Sequence, residues 1–496
     1  MQYPLTKGDN LKTWIKLTRV AAAAAALLLT APAAGTALAQ SAAAPAAVSA
    51  SATASDAASA SDSASASAST AAAPALLKSQ VPLKLDGAGT AWLIVATALV
   101  LMMTVPGLAL FYGGMVRRKN LIATVTQSVA VTSIVMVVWY LVEYSISFGV
   151  GSSNAVFGSF TVNDFIGGFD LAFLKHVTNT TAYSATPGIP EMCWIAYQAT
   201  FAIITPALIT GAFAERVKFS GLILFMILWS IFVYGPICHM VWGGGLLGGK
   251  WGVIDFAGGS VVHCNSGVAG LVSALFLGRR KGYGTESMPA NNPIFVMIGA
   301  SLLFVGWIGF NAGSEWAADS IASAALLNTM IATCAAGLSW KVVEWIFRGK
   351  PSLIGILSGW VAGLVVITPA CGFVDPMGAL WIGLIGGAFC YFSATWVKKL
   401  LGYDDSLDAF GVHGAGGFLG ALLTGWFANP NINPLGHGSM KQVGIQLMGL
   451  LVVIAWSAIG TLIILIICKF TTGLRVSEAD ELAGLDSSQH DEVMDH

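Results

Sequence analysis

The chain has 496 residues, 56% of them hydrophobic and only 10% charged, with mean hydropathy +0.75 and a formal net charge of −1. This excludes an ordinary soluble domain, and the near-zero charge, with basic residues in short clusters, argues against a nucleic-acid partner. The seven cysteines (193, 238, 264, 334, 371, 390 and 468) lie in or beside apolar segments without C-x-x-C or Cys/His finger spacing, so neither a disulfide framework nor a zinc module is indicated.

Lys12, Lys16 and Arg19 precede an apolar run from Val20 to Leu29, and Ala37-Leu38-Ala39 makes a small-x-small cleavage site. Residues 1–39 therefore read as a secretory signal peptide. From Ser41 to about Ala75 the chain is almost only Ala, Ser, Thr and Pro, which cannot bury a core. Residues 40–86 are expected to be a disordered, exported leader, followed by a membrane domain over 87–470 and a tail over 471–496.

Apolar runs of the roughly 20 residues needed to cross a bilayer fall near 90–114, 121–149, 192–213, 220–242, 255–278, 293–313, 318–346, 353–370, 377–400, 406–427 and 441–469. The expected fold is an all-α polytopic membrane protein with eleven transmembrane helices. Alternate loops hold Arg117, Arg118 and Lys119; Arg216 and Lys218; Arg279, Arg280 and Lys281; Arg348 and Lys350; Lys398 and Lys399; and Arg475 follows the last span. The intervening loops hold only Lys175, Lys250 and Lys441. By the positive-inside rule the first set is cytoplasmic, with the N-terminus outside and the C-terminus inside.

Two histidines sit inside apolar spans in one small pattern. Val262-His263-Cys264-Asn265-Ser266-Gly267-Val268-Ala269-Gly270 and Val412-His413-Gly414-Ala415-Gly416-Gly417-Phe418-Leu419-Gly420 both place glycines four and seven residues after the histidine. On a helix those offsets share a face, giving each histidine a thin stripe against which another helix can pack. An ionisable group inside a membrane is by default a functional-site hypothesis; the plainer reading is a pair of neutral core histidines. The fifth span is read as starting outside at Asp255 and the tenth inside at Asp408. The two histidines then lie on oppositely directed helices five spans apart, as two inverted five-helix repeats plus a final helix predict. Each histidine is expected about 12 Å into its helix, from the rise per residue. The run from Gly244 to Lys250 approaches a phosphate loop but ends in Trp251, and is set aside.

Pro106-Gly107-Leu108-Ala109-Leu110-Phe111-Tyr112-Gly113-Gly114, His239-Met240-Val241-Trp242-Gly243-Gly244-Gly245 and Asp255-Phe256-Ala257-Gly258-Gly259-Ser260-Val261-Val262-His263 resemble motifs of the ammonium transporter (Amt/Mep/Rh) family, and more the bacterial Amt branch. So do Gly306-Trp307-Ile308-Gly309-Phe310-Asn311-Ala312-Gly313-Ser314, Thr368-Pro369-Ala370-Cys371-Gly372 and Phe410-Gly411-Val412-His413-Gly414. The resemblance runs in order over about residues 88 to 490.

The resemblance implies a pore in each subunit. Trp242 and Ser314 would capture ammonium at an outer vestibule, where an indole face attracts a cation by about 0.5–2 kcal/mol and a hydroxyl accepts a hydrogen bond that potassium cannot give. Phe201 and Phe310 would be the stacked gate, with Tyr197 one turn before Phe201 and Trp307 lining the same path. A hydrophobic constriction opposes a hydrated ion far more than neutral ammonia. His263 and His413 would form the twin-histidine site. Two imidazoles in low dielectric tolerate at most one excess proton, which suits them to exchange one with a passing ammonia. Asp255 has two readings: an N-cap, or, as the family implies, a carboxylate that holds the capture site and assists proton release. Asp408 reads as a helix start.

The function expected is ammonium capture, deprotonation and passage of ammonia, with net proton movement, in a bacterial inner membrane. No cofactor, metal or catalytic set is expected, so the chain reads as a transporter and not an enzyme. Implied partners are membrane lipid, two further copies in a homotrimer, and a cytoplasmic PII signal protein beneath the tail motifs Gly473-Leu474-Arg475-Val476, Glu481 and Gly484-Leu485-Asp486. The rivals are an ammonium sensor signalling through its inner face, a metalloenzyme or haem protein using the two histidines, and a carbon dioxide channel.

Overall fold

A computed structural model describes residues 76–493. The predicted signal peptide, the leader as far as residue 75 and the last three tail residues lie outside the described residues. The expectation of disorder continues to residue 86, but Gln80–Pro82 (β1) pairs antiparallel with Thr181–Tyr183 (β4). The Ala/Ser composition has ended by then, and Gln80 donates to Glu191 Oε2 at 2.7 Å. A second small ribbon joins Ala155–Phe157 (β2) to Phe160–Thr161 (β3).

The helices are α1 Gly87–Met115, α2 Arg118–Phe148, α3 Glu191–Phe213, α4 Phe219–Lys250, α5 Gly259–Leu277, α6 Pro293–Glu315 and α7 Ser320–Arg348. They continue with α8 Leu353–Ile367, α9 Pro376–Leu401, α10 over 410–427, α11 Met440–Thr471, and the short tail helices α12 Glu478–Ala483 and α13 Leu485–His490. Polar residues before apolar runs set several starts, where side-chain oxygens take first-turn N–H groups. Asp86, Asn292, Asp319, Ser352, Asp375 and Ser439 all cap in this way, with proline at the first helical position after Asn292 and Asp375.

Among the described residues, nine helices are long and apolar enough to cross a membrane, which makes this a multi-pass membrane protein. The other two predicted spans fall short of that measure. Leu353–Ile367 is apolar but has only 15 residues. α10 begins at 410 and not 406, and glycine fills six of its eighteen positions, diluting its hydropathy.

α3 and α5 form the centre. Within their apolar windows 83% of residues are buried, against 44% for α1, α2 and α6. Arg117, Arg216, Arg280 and Arg475, from loops expected on one side, gather at one end of the bundle. The two ribbons and the 149–190 segment belong to the other end.

Candidate functional site

α5 and α10 meet where the paired pattern places them. A Cβ on Gly267 would stand 2.1 Å from Gly414 N and 3.0 Å from the His413 carbonyl carbon. A Cβ on Gly417 would stand 2.5 Å from Gly259 O and 2.9 Å from His263 Cβ. Each fourth glycine thus presses on the other helix's histidine turn. The seventh glycines lie nearest to other helices: Gly270 faces Ala212 of α3 at 3.0 Å, with Ala409 just before α10 at 3.6 Å, and Gly420 faces Val366 of α8.

This close approach brings His263 Nδ1 to 3.3 Å from His413 Nδ1, with ring centroids 5.4 Å apart. Both rings are buried, at 1% and 4% exposure. One Nδ1 must therefore donate and the other accept, so a single hydrogen serves the pair. His263 Nε2 is buried with no partner, leaving one polar position open. Both histidines stand in π-helical turns, Gly259–Cys264 and Phe410–Gly414, a local widening often found at functional sites.

From the pair, aromatic rings run toward the ribbon-bearing end. His263 lies 5.9 Å from Phe310, centroid to centroid, and Phe310 stacks on Phe201 at 4.2 Å and 28°. Phe201 meets Trp242 edge-on at 5.8 Å and Tyr197 at 5.1 Å. Trp307 stacks beside His263 at 5.2 Å and 21°. Tyr197 Oη donates to one of the carbonyls of Gly309 and Phe310, at 2.9 and 3.0 Å, and lies 3.2 Å from Ser314 Oγ. Ser314 Oγ lies 2.9 Å from Phe310 O. These side chains therefore form one column of contacts, and Trp242, half-buried, stands at its outermost end.

Asp255 precedes the helix and does not begin it. Gly258 adopts φ +111, which only glycine takes without strain, and α5 starts at Gly259. Folded back over this turn, the Asp255 carboxylate accepts from the N–H groups of Gly258, Gly259, Ser260 and Val261 at 2.7–3.2 Å and from the Ser260 hydroxyl. Its carbonyl accepts from Trp242 Nε1 at 2.9 Å. Both carboxylate oxygens are committed to the start of α5, as a capping residue's would be. His263 is thus only four residues, about 6 Å, into its helix, half the expected depth along it.

The counterpart in α10 is Asp405, not Asp408. Asp405 stands eight residues before His413, as Asp255 does before His263, and accepts from Ala409 N at 3.0 Å and Phe410 N at 2.7 Å. Asp408, at φ +60, pairs instead with Lys398. The shared spacing of eight was visible in the sequence. Thr368 was also missed as a site residue: its hydroxyl accepts from Trp307 Nε1 at 2.8 Å, and only the folded chain joins positions 61 residues apart.

The arginine-rich end is held by charge. Glu215 accepts from Arg117 N at 2.6 Å, Arg117 Nε at 2.9 Å and Arg280 Nη1 at 3.0 Å. Burial raises its carboxyl, but Arg280 and then Arg117 outweigh that and hold it below the usual value. Asp404 is held low against its burial by three hydrogen bonds from Arg280 and by the charge of Arg216. Arg216, fully buried, donates to the carbonyls of Ala212 and Asp404 and to Ser406 Oγ, and burial pulls it down to about 10.

The tail packs on this end. Asp486 Oδ1 accepts from Ala123 N and Asn120 Oδ1 from Leu485 N, each at 2.8 Å; Lys281 pairs with Glu478 and Arg475 with Glu481, each also at 2.8 Å. Among the described residues, no group of three or more His, Cys, Asp or Glu side chains is placed to hold a metal ion.

A multi-pass helical membrane protein in which two glycine-packed helices bring a buried histidine pair up against stacked aromatics is the class that fold and site define. Residues 91–494 match the model of the Ammonium Transporter Family, to which the chain therefore belongs. It is 49% identical over 413 residues to an ammonium transporter of Aquifex aeolicus, covering 82% of this chain and 93% of that one. Against an ammonium transporter of Bacillus subtilis the identity is 44% over 409 residues, covering 81% and 97%. The crystal structure of Saccharomyces cerevisiae Mep2 superposes with a TM-score of 0.73 at 33% identity, covering 79% and 88% of the two chains. A structure titled "Sensor Amt Protein" gives 0.74 at 27%, covering 81% and 98%.

Proposed function

We propose that this chain carries ammonium across a bacterial inner membrane by stripping its proton and conducting ammonia. The observation that carries this reading is the unbroken column Trp242–Phe201–Phe310–His263–His413, which ends on the imidazole nitrogens of the buried histidine pair. A hydrated cation crossing stacked phenyl rings would lose its water without replacement, whereas ammonia loses little. Ammonium is captured against the Trp242 face and near Ser314, at the outer mouth that Asp255 holds in shape. It gives up its proton above Phe201. Ammonia passes the closed rings and meets a histidine pair able to offer either a donor or an acceptor. The proton crosses separately by way of water and the histidines, making net movement electrogenic. The arginine-rich end is cytoplasmic and the ribbon end faces outward, by the positive-inside rule.

The test is current on supported membranes holding the full chain, with ammonium, methylammonium and potassium. The wild type should respond to ammonium and not to potassium. His263→Ala/His413→Ala should lose ammonium current or admit potassium; a double variant with both properties intact overturns the role of the pair.

A second reading, an ammonium sensor signalling through its inner face, is favoured by the docked tail and by the likeness to the structure titled "Sensor Amt Protein". Its partner would be a PII-type signal protein, seated beneath a homotrimer. Partner binding that is equal with and without ammonium removes it, and mass photometry of the purified protein tests the trimer.

A further inference from the structure

Glu143 is an acid inside a membrane-crossing helix, α2, with no exposed surface, and it stands apart from the histidine column. It ends a π-helical turn, Trp139–Glu143, and its Oε2 meets the Ser230 hydroxyl, which begins another, Ser230–Tyr234 of α4. Both histidines stand in turns of this kind, which recur at functional sites.

Buried acids elsewhere are well served. Asp255 takes four backbone N–H groups and a hydroxyl, Glu344 a guanidinium, a backbone N–H and a hydroxyl, and Glu191 an amide and a phenol. Glu143 has the Ser230 hydroxyl alone: its Oε1 is buried and meets no hydrogen-bond partner among the described residues. Nor, among these residues, does a Lys, Arg or His pair with it. The ionisable groups that face it are a phenol and a thiol, Tyr234 and Cys238 of α4, which lie within reach of its charge. Tyr144, next to it in α2, is committed to Glu191. Lys175, beside the turn Ala172–Leu174 that packs on Trp139–Glu143, is exposed and lies over the Phe173 ring.

A carboxylate needs several donors or a cation to leave water, and where neither is present the group keeps its proton. We infer that Glu143 is a proton-binding site: a neutral carboxylic acid, outside the histidine pair, that links the π-helical turns of α2 and α4 through Ser230. Four residues further along each helix stand Ser147 and Tyr234, whose hydroxyls are also buried without a hydrogen-bond partner among the described residues. The acid thus belongs to a polar seam and is not an isolated group.

Infrared spectra of the full-length protein in lipid, at neutral pH and with ordinary or isotope-labelled glutamate, test this. The wild type should show the carbonyl band of a protonated acid, shifted by the label. Glu143→Gln, which copies the shape of the neutral acid, should lose that band and keep the carboxylate bands. Ser230→Ala leaves the acid in place, so it reads the site even where the first variant fails to fold: the band should move to higher frequency as its one hydrogen bond is lost. A wild-type spectrum without the band, or a band that survives Glu143→Gln or stays unmoved in Ser230→Ala, overturns the proposal. So does a carboxylate band lost in Glu143→Gln, which would mean an ionised Glu143 held by a cation.

Discussion

Asp255 and Asp405 both stand eight residues before a histidine, yet they serve unlike surroundings. The first gives its carboxylate to four backbone N–H groups and a hydroxyl, beneath Trp242 and among aromatic rings. The second accepts two N–H groups beside the Lys398–Asp408 pair, near the arginine-rich end. One plan, an acidic residue folded over the start of a histidine-bearing helix, is thus used once among aromatic rings and once inside a charged clasp. The histidine geometry is set by backbone contact between α5 and α10, while the lead-ins fit each helix to its own end.

The largest effect should come from Asp255→Ala. Leaving two of its four buried N–H groups dry would cost about 2–6 kcal/mol, enough to deplete the folded protein. Asp405→Ala exposes fewer donors and should be recoverable with a lower melting temperature. Size-exclusion yield and thermal unfolding in one detergent would rank them, and equal losses would undo the asymmetry. Asp255→Asn, which keeps an acceptor, should restore part of the yield.

The glycine seam comes next. Gly267→Ala drives a methyl against the Gly414 backbone, which cannot swing away, so overpacking of about 1–3 kcal/mol or more is expected together with loss of ammonium current. Gly270→Ala meets only side-chain methyls, of Ala212 at 3.0 Å and Ala409 at 3.6 Å, and should be much milder. Similar currents from the two variants would show that the histidine spacing tolerates movement of the helices.

Much of this was legible in the sequence, for identifiable reasons. Span positions follow from runs of apolar residues, and the α5–α10 contact follows from a repeated His-x₃-Gly. The role of the seventh glycine was not, because its neighbours, Ala212 and Val366, come from other helices. Asp408 was read as the start of the tenth span because it directly precedes the apolar run, whereas the carboxylate that folds over the turn comes from three residues earlier. The Trp307–Thr368 bond joins two quoted motifs, but nothing local pairs them. It offers a smaller test: Thr368→Val leaves the Trp307 indole N–H buried and unpartnered, at about 1–2 kcal/mol. Because Trp307 stacks on His263, a modest drop in melting temperature should come with a changed ratio of ammonium to methylammonium current. An unchanged ratio would mean that the indole is held by packing alone.

The gentlest probe of the two lead-ins is pH, and it acts on the charged clasp. Burial first, and then the neighbouring Asp408, push Asp405 up to about 6 from an ordinary 3.8. Between those values the folded state holds more protons than the unfolded one, so the stability owed to Asp405 falls as pH rises through that window. Asp404, one residue earlier, is shifted the opposite way by Arg280 and Arg216. Its contribution is complete above the ordinary carboxylate value and is lost as pH falls through its lowered one. Hydrogen exchange at Ala409 and Phe410 should therefore quicken from pH 4 toward 7 once corrected for intrinsic rates, and Asp405→Asn should flatten that rise. Exchange at Arg280, whose N–H is held by Asp404, should instead quicken only on strong acidification. Among the described residues Asp255 forms no ion pair, so an equal quickening at Gly259 and Ser260 would mean that the starts of α5 and α10 open as one unit.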